Sequence, residues 1–389
     1  MSYRIQTLNN ISLRGLERLP RDRYEVASAI PDPDAILVRS FDMHSLTLPS
    51  SVLAVARAGA GTNNVPVAAL TKRGIPVFNS PGANANAVKE LVVAGLFLAA
   101  RNIVQAWDFA RALSGDDKSI DEATEKGKKD FAGFELPGRT LGVIGLGAIG
   151  VEVANVAQRL GMRVIGYDPQ ITVQRAWQLS SSIEQAVSLD DLFVRSQFVS
   201  MHVPLLATTR GLVNAARIAL IAKGGVLLNF SRAPIVDDAA VIAALDTGQL
   251  HAYICDFPNN ALKGHRKVVT LPHLGASTGE AEENCAVIAA DTLRDYLENG
   301  NIRHSVNFPD AHLPRILGTA RIAVANSNVP NMVGQMSTLL ASAGINISEL
   351  LNKSRGEVAY TLIDVEGAVD FALLGRIRTI DGVLSARVL

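Results

Sequence analysis

The chain is short of cysteine, of net charge and of long apolar runs. Cys255 and Cys285 are its only two cysteines among 389 residues. Two thiols cannot lay out a disulfide framework or a zinc site alone, so they read as small buried hydrophobes in a reducing compartment. The 37 Lys and Arg balance 37 Asp and Glu, which leaves no basic field of the kind that attracts nucleic acid or an anionic membrane. The longest apolar run, residues 91–100, lies between Glu90 and Arg101 and is about half of a membrane span. Met1-Ser2-Tyr3-Arg4-Ile5-Gln6 holds no apolar run of signal length. The expectation is a cytoplasmic chain with no metal, no nucleic-acid partner and no membrane partner. What is present is an apolar fraction of 48% against 19% charged residues, too apolar for disorder. The length suits two or three domains.

Over the first hundred residues, short apolar runs at 35–40, 52–57 and 76–79 end in Arg, Asn or Ser. Polar residues at the carboxyl ends of buried strands are how an open parallel sheet builds a ligand crevice. The pattern predicts one long helix over 85–114 and a solvated surface loop over 115–130, where ten of sixteen residues are charged. Lys128 and Lys129 are the cations there that an anionic substrate would meet. Six further apolar runs, at 140–144, 163–167, 198–202, 226–229, 251–255 and 268–270, alternate with helical patterns. They predict a parallel doubly wound sheet. Apolar residues at three- to four-residue spacing over 277–298, among them Ala281, Cys285, Ile288, Leu293 and Leu297, predict an amphipathic helix. From 319 the order changes to strand 319–325, helix 330–343 opened by Pro330, strands 346–352 and 358–365, helix 368–378 and strand 382–389. That βαββαβ order is the ferredoxin-like split motif.

The strongest local signal is Gly142-Val143-Ile144-Gly145-Leu146-Gly147-Ala148-Ile149-Gly150. An apolar strand precedes it and a helical pattern follows from Val151. In that setting Gly145 serves the tight turn, Gly147 lets backbone approach a pyrophosphate, and Gly150 lets helix and strand pack closely. The diphosphate would sit on the helix N-terminus. Asp168 stands eighteen residues past Gly150, where a carboxylate would hold the ribose hydroxyls and repel a 2′-phosphate. The expected cofactor is therefore NAD.

Two strand ends carry reactive groups: Asn229-Phe230-Ser231-Arg232 and Leu271-Pro272-His273-Leu274-Gly275. An Arg there takes a carboxylate in a bidentate fork, and a His exchanges a proton near neutral pH. Each residue alone is more often structural. Together, on a nucleotide-binding sheet, they suffice to oxidise a 2-hydroxy acid.

At this point the chain resembles the D-isomer-specific 2-hydroxyacid dehydrogenases. Beyond the glycine fingerprint, the carrying stretches are Arg57-Ala58-Gly59-Ala60-Gly61-Thr62-Asn63-Asn64, Asn79-Ser80-Pro81-Gly82-Ala83-Asn84, His202-Val203-Pro204-Leu205 and residues 229–238, 272–278 and 296–309. The resemblance implies an α/β fold of two Rossmann-like or flavodoxin-like doubly wound lobes, followed by a C-terminal ferredoxin-like ACT domain. Residues 1–100 and 278–308 would form the substrate-binding domain, 101–277 the NAD-binding domain, 309–318 a linker and 319–389 the ACT domain. It makes Arg232 the carboxylate-binding Arg and His273 the acid/base. Cofactor contacts would fall on Gly145, Leu146, Gly147, Ala148, Ile149, Gly150, Asp168, His202, Val203, Pro204, Thr208, Asn229, Phe230, Ser231, Asp256 and Gly275. Arg57, Ala58, Gly59, Ala60 and Gly61 would hold substrate, with help from Asn84.

One departure from the family pattern matters. The Glu that normally orients the His falls here on Asn260, and the usual Asp five residues earlier falls on Cys255, with Asp256 one step displaced. An Asn can hydrogen-bond an imidazole but cannot stabilise imidazolium by charge. Three readings follow: an enzyme with an altered pH profile, one that uses another carboxylate such as Asp256, or one with weak or lost activity. Within the family, an ACT tail implies 3-phosphoglycerate as substrate and 3-phosphohydroxypyruvate as product, the first step of phosphorylated L-serine biosynthesis. Arg57 and Arg39, with Lys129, are the cations available to the phosphate. Another D-2-hydroxy acid of the glycerate or glyoxylate kind, or a non-catalytic NAD-binding regulator, are the alternatives. ACT domains pair side by side and bind amino acids at the junction. That implies a homo-oligomer, dimer or tetramer, with Asn326, Asn328 and Asn346 as candidate positions for L-serine.

Overall fold

A strand covered by helices on both faces needs no polar alternation, and two of the three sheets are built that way. The computed structural model describes residues 2–316 and 318–389. The first sheet joins Tyr3–Leu8 (β1), Tyr24–Ala27 (β2), Ala35–Val38 (β3), Ala54–Arg57 (β4) and Val77–Phe78 (β5) in the order β2-β1-β3-β4-β5. All its pairings are parallel. The second sheet joins Thr140–Ile144 (β6), Arg163–Tyr167 (β7), Glu184–Gln185 (β8), Phe198–Met201 (β9), Gly225–Asn229 (β10), Leu250–Cys255 (β11) and Val268–Thr270 (β12). Its order is β12-β11-β10-β9-β6-β7-β8, again wholly parallel. The order reverses between β6 and β9, the point at which doubly wound sheets open a crevice. The third sheet is antiparallel: Ala320–Ser327 (β13), Ile347–Arg355 (β14), Val358–Val365 (β15) and Val383–Val388 (β16), in the order β14-β15-β13-β16.

Packing divides the chain into residues 1–84 with 279–389, and residues 85–278. The boundary expected after residue 100 therefore moves to 84/85. Val88, Val92, Leu96 and Ala99 of helix Ala85–Ala100 share a core with Leu141, Phe198, Leu228 and Ile254 of the second sheet. In the first unit, helix Gly279–Asn299 buries Cys285, Ala289, Leu293 and Leu297 against Ile5, Leu37 and Ala56.

The third sheet is part of that first unit. Ala323, Ala325, Tyr360 and Leu362 on one face share its core with Phe78, Tyr296 and Phe308. Ile322, Val324, Ile363 and Val365 on the other face pack with helices Met332–Ser342 and Phe371–Arg378. Arg321 and Asp364 are fully buried. The Arg321 Nε and Nη2 donate to the carboxylate at 2.5 and 2.6 Å, Nη1 donates to the Asn299 and Leu313 carbonyls, and Nη2 also reaches the Pro314 carbonyl.

Three local expectations are corrected. The 85–114 helix is two helices, Ala85–Ala100 and Ile103–Ala112, broken where Asn102 takes a left-handed φ of 50°. The 115–130 segment is a helix, Asp117–Gly127, followed by a 3₁₀ turn, Lys128–Phe131. Asp116 caps it by accepting from the Ser119 amide, and its Lys, Glu and Ala residues favour helix. Charge there reports exposure, not absence of structure. Pro330 precedes its helix instead of opening the first turn: Asn331 adopts a left-handed φ of 65° and the helix starts at Met332.

Candidate active site

Because every strand of the second sheet is parallel, the loops that follow β6, β7, β9, β10, β11 and β12 leave from one edge. The loop after β6 carries the glycines. Gly145 has a φ of 87°, and a Cβ there would stand 2.6 Å from the His202 carbonyl oxygen. A Cβ at Gly150 would stand 1.9 Å from the Gly145 oxygen, whereas one at Gly147 would meet nothing within 4 Å. So Gly145 and Gly150 are fixed by close packing, and Gly147 borders open space at the N-cap of helix Ala148–Arg159. That is a cradle for an anion with backbone within reach. The Asp168 carboxylate, at the end of β7, accepts from the Leu146 amide at 2.8 Å and the Gln170 amide at 2.9 Å. It thereby ties the glycine loop to the next strand. These residues fit a dinucleotide.

Arg232 follows β10 and His273 follows β12, the two strands that flank β11, and both are held by a backbone lattice. The Asn229 amide group donates to the Arg232 carbonyl (3.0 Å) and the Tyr253 hydroxyl (3.3 Å), while its oxygen accepts from the Ser231 amide. The Ser231 hydroxyl donates to the Met201 carbonyl at 2.6 Å, linking the β10 and β9 loops. The Asp256 amide donates to the Asn229 carbonyl at 3.2 Å, and the Asp256 carbonyl accepts from the His273 amide at 3.1 Å. The buried Asp256 carboxylate accepts from the Leu274 and Gly275 amides, both at 2.7 Å. These bonds clamp the His273 loop, in which His273 itself holds a left-handed φ of 56°. A non-glycine residue there is uncommon and needs its surroundings to hold it. Its ring is exposed and packs edge-on against Phe257, with centroids 5.3 Å apart. Both Asp256 carboxylate oxygens are engaged by amides.

Asn260 is exposed, and no hydrogen bond joins it to His273 among the described residues. Its neighbour Asn259 holds this loop instead, donating to Asp238 at 2.7 Å and accepting from the Ala261 and Leu262 amides. Nothing in the sequence pattern pointed to Phe257 or Asn259. A ring stacked beside a reactive His and an amide that caps a turn both depend on where the loop folds. Thr208 is exposed, and the adjacent Thr209 hydroxyl makes the loop's bonds to the Leu206 amide and Pro204 carbonyl.

In the first unit, the Arg57 Nε donates to the Arg39 carbonyl at 3.0 Å and its guanidinium lies over Gly59, where a Cβ would come within 2.2 Å of Nη1. The loop after β5 braces this turn: the Asn79 side chain donates to the Ala60 carbonyl and the Ser80 amide to the Gly59 carbonyl. The Asn84 side-chain oxygen is buried with no hydrogen-bond partner among the described residues. The Arg39 guanidinium pairs with Glu282, so its charge is already balanced. Lys129 lies exposed in the 3₁₀ turn.

Residues 96–275 match the family described as D-isomer specific 2-hydroxyacid dehydrogenase, NAD binding domain. The chain is 33% identical over 382 residues to the D-3-phosphoglycerate dehydrogenase of Haemophilus influenzae, covering 95% of this chain and 89% of that one. The chain belongs to the D-isomer-specific 2-hydroxyacid dehydrogenase family. The Escherichia coli K12 D-3-phosphoglycerate dehydrogenase is 34% identical over 342 residues, 85% of this dehydrogenase and 79% of that one. Among solved structures, the NAD⁺-bound 3-phosphoglycerate dehydrogenase of Entamoeba histolytica is similar, with a TM-score of 0.62 and 26% identity over 79% of this chain and 99% of that chain. This dehydrogenase is an NAD-dependent oxidoreductase, and its three-sheet α/β fold is the one the sequence led us to expect. Among the described residues no helix is long and apolar enough to cross a membrane.

Two titrating groups have environments with consequences. Burial pushes the Cys255 thiol up to about 11, so it stays a protonated, unreactive thiol at neutral pH. Burial pushes the His202 imidazole down to about 3. Its Nε2 lies 2.8 Å from the Ser200 hydroxyl and its Nδ1 is buried without a partner among the described residues. In an unfolded chain the same ring titrates near ~6.5. As pH falls below that value the unfolded state takes the proton first. The stability contributed by the neutral ring is therefore complete above ~6.5 and is lost progressively toward pH 3. His202→Asn should flatten the decline of Tm between pH 7 and 4.5 relative to wild type in scanning calorimetry. Parallel declines would mean that His202 does not set that limb.

Proposed function

We propose that this dehydrogenase oxidises D-3-phosphoglycerate to 3-phosphohydroxypyruvate, opening the phosphorylated route to L-serine. The observation that carries the reading is the lattice through Asn229 and Asp256. It fixes the Arg232 and His273 loops, after β10 and β12, to each other through Asp256 at the end of the intervening β11, on the edge that also bears the glycine cradle. The names of the Haemophilus and Escherichia relatives support the phosphorylated substrate. Arg232 takes the C1 carboxylate in a two-pronged charge-assisted fork. His273 removes the C2 hydroxyl proton as general base and returns it in the reverse direction. NAD, when bound, accepts the hydride that leaves C2. Asp168 holds the adenosine ribose and the glycine loop the diphosphate. Asp256 and Asn229 act by positioning.

Arg57, with Asn84 and the 58–61 turn, receives the 3-phosphate end. Arg57→Ala should raise KM for phosphohydroxypyruvate by about tenfold or more and leave KM for hydroxypyruvate nearly unchanged, since a guanidinium–phosphate fork is lost only with the former. Equal effects on both would remove Arg57 from phosphate binding. The function itself is tested by NADH oxidation across a panel of 2-oxo acids. Phosphohydroxypyruvate should give the highest kcat/KM. Glyoxylate or hydroxypyruvate in first place would assign a glycerate-type enzyme, and no turnover with any would assign a regulator.

The third sheet has the ACT-like order, and β14, largely exposed, is its outer edge on one side. Pairing of that edge with a second copy would satisfy its free backbone groups, which supports a homo-oligomer. Of the three asparagines proposed for L-serine, Asn328 and Asn346 are exposed, while Asn326 is 1% exposed and bonded to Ser327 and Thr361 within the sheet. Serine would therefore engage the first two from the surface.

A further inference from the structure

The first unit contains a hollow of about 500 Å³ between the turn at Arg73–Ile75 and the edge strand β16. That volume suits a small molecule. Arg73, Arg378 and Arg387 line it, with Ser50, Ser385 and Tyr296, and no Asp or Glu does. Several other arginines pair with a carboxylate, among them Arg18 with Asp291, Arg217 with Asp190 and Arg321 with Asp364. Among the described residues, none of the three lining guanidiniums is within an ion pair.

Each guanidinium is held in place by neutral carbonyls. Arg73 donates through Nη1 to Leu48 and through Nη2 to Pro49. Arg378 donates through Nε to Ala386 at 2.9 Å, which leaves both terminal nitrogens without a protein acceptor among the described residues. Arg387 donates to the Leu297 and Tyr296 carbonyls, stacks 4.2 Å over the Tyr296 ring, and keeps a buried Nε with no partner among the described residues. Carbonyl dipoles orient a cation without cancelling its charge. Three oriented, uncompensated positive charges around one hollow form a preorganised anion receptor.

We propose that this hollow binds a small polyanion bearing two or more carboxylate or phosphate charges, as a site separate from the active site. Its occupant bridges the turn before β5, through Arg73, to the end of helix Phe371–Arg378 and to β16, through Arg378 and Arg387. Asn326, Asn328 and Asn346 do not line it, so it is also distinct from the positions considered for serine.

The test is titration calorimetry on the full chain, with NAD saturating and Arg57→Ala with Arg232→Gln in the background so that neither the phosphate nor the carboxylate position of the active site contributes. Citrate and inorganic phosphate are the two probes. One site per chain is expected for at least one of them, weakened tenfold or more when Arg73→Gln and Arg378→Gln are added together. Arg378→Lys, which keeps the charge, should retain more of the affinity than Arg378→Gln; this arm stands even if the double variant folds poorly. Binding of citrate alone narrows the ligand to carboxylates, and of phosphate alone to phosphates. No heat from either probe, or affinity indifferent to both substitutions, would overturn the proposal.

Discussion

His273→Asn is expected to lower kcat/KM for phosphohydroxypyruvate reduction by about 10²–10⁴-fold, the usual worth of a positioned general acid or base. NADH affinity, read by fluorescence, should stay within a few-fold, because the glycine loop, Asp168 and helix Ala148–Arg159 are built without this ring. Asp256→Asn should reproduce part of the loss by a different route. Its two oxygens accept from the Leu274 and Gly275 amides. An Asn must turn an NH₂ toward one of those amides, so the loop loosens and the ring is displaced while still present. The pH profile separates the two: a loosened loop lowers the plateau and keeps the limb set by the imidazole, whereas loss of the ring removes that limb. Asn260→Glu is expected to leave the limb where it is, since Asn260 is exposed and makes no hydrogen bond to the ring. A move of about one pH unit would place the side chain at the imidazole. Near-wild-type turnover by His273→Asn would end the proton-transfer assignment.

The second sheet was legible because its strands are buried on both faces and therefore read as uninterrupted apolar runs. The runs at 163–167 and 268–270 coincide with β7 and β12, and the glycine spacing located the loop after β6. Less legible were features set by long-range packing. The short strand β8, Glu184–Gln185, is exposed and has no apolar signal. Helix Asp117–Gly127 has no buried residue, so periodicity is silent and only its cap and composition mark it. The move of helix Ala85–Ala100 to the second unit is decided by which core its Val92 and Leu96 enter, and an apolar stripe does not name its partner. In the candidate site, Arg232 and His273 could be picked out by type and position at strand ends. The Asn229 and Asp256 lattice between them could not, because every bond in it but the one to Tyr253 has a backbone amide or carbonyl as a partner, which no residue pattern records.

Arg321 is the residue whose environment the sequence concealed most, and its pairing yields the largest expected stability effect. Both Arg321 and Asp364 are on the face of the third sheet turned toward Tyr296 and Phe308, since they alternate in step with Ala323, Ala325, Tyr360 and Leu362. The guanidinium's bonds to the Asn299, Leu313 and Pro314 carbonyls tie β13 to the end of helix Gly279–Asn299 and to the segment entering the third sheet. Asp364→Ala leaves a buried cation without its carboxylate and should destabilise the unit by about 3–5 kcal/mol. Arg321→Met leaves a buried carboxylate and should cost a similar amount. The double replacement Arg321→Met with Asp364→Leu should recover much of either loss, because a buried ion pair is offset by the desolvation of both members. With two packing units a single unfolding transition is not assured. The measurement is therefore the calorimetric transition of the first unit, followed beside the NAD-shifted transition of the second. The expected pattern is a lowered first transition in each single variant, a restored one in the double, and an NAD-shifted transition common to all four proteins. Single variants that melt with wild type would mean that the pair contributes no net stability to this junction.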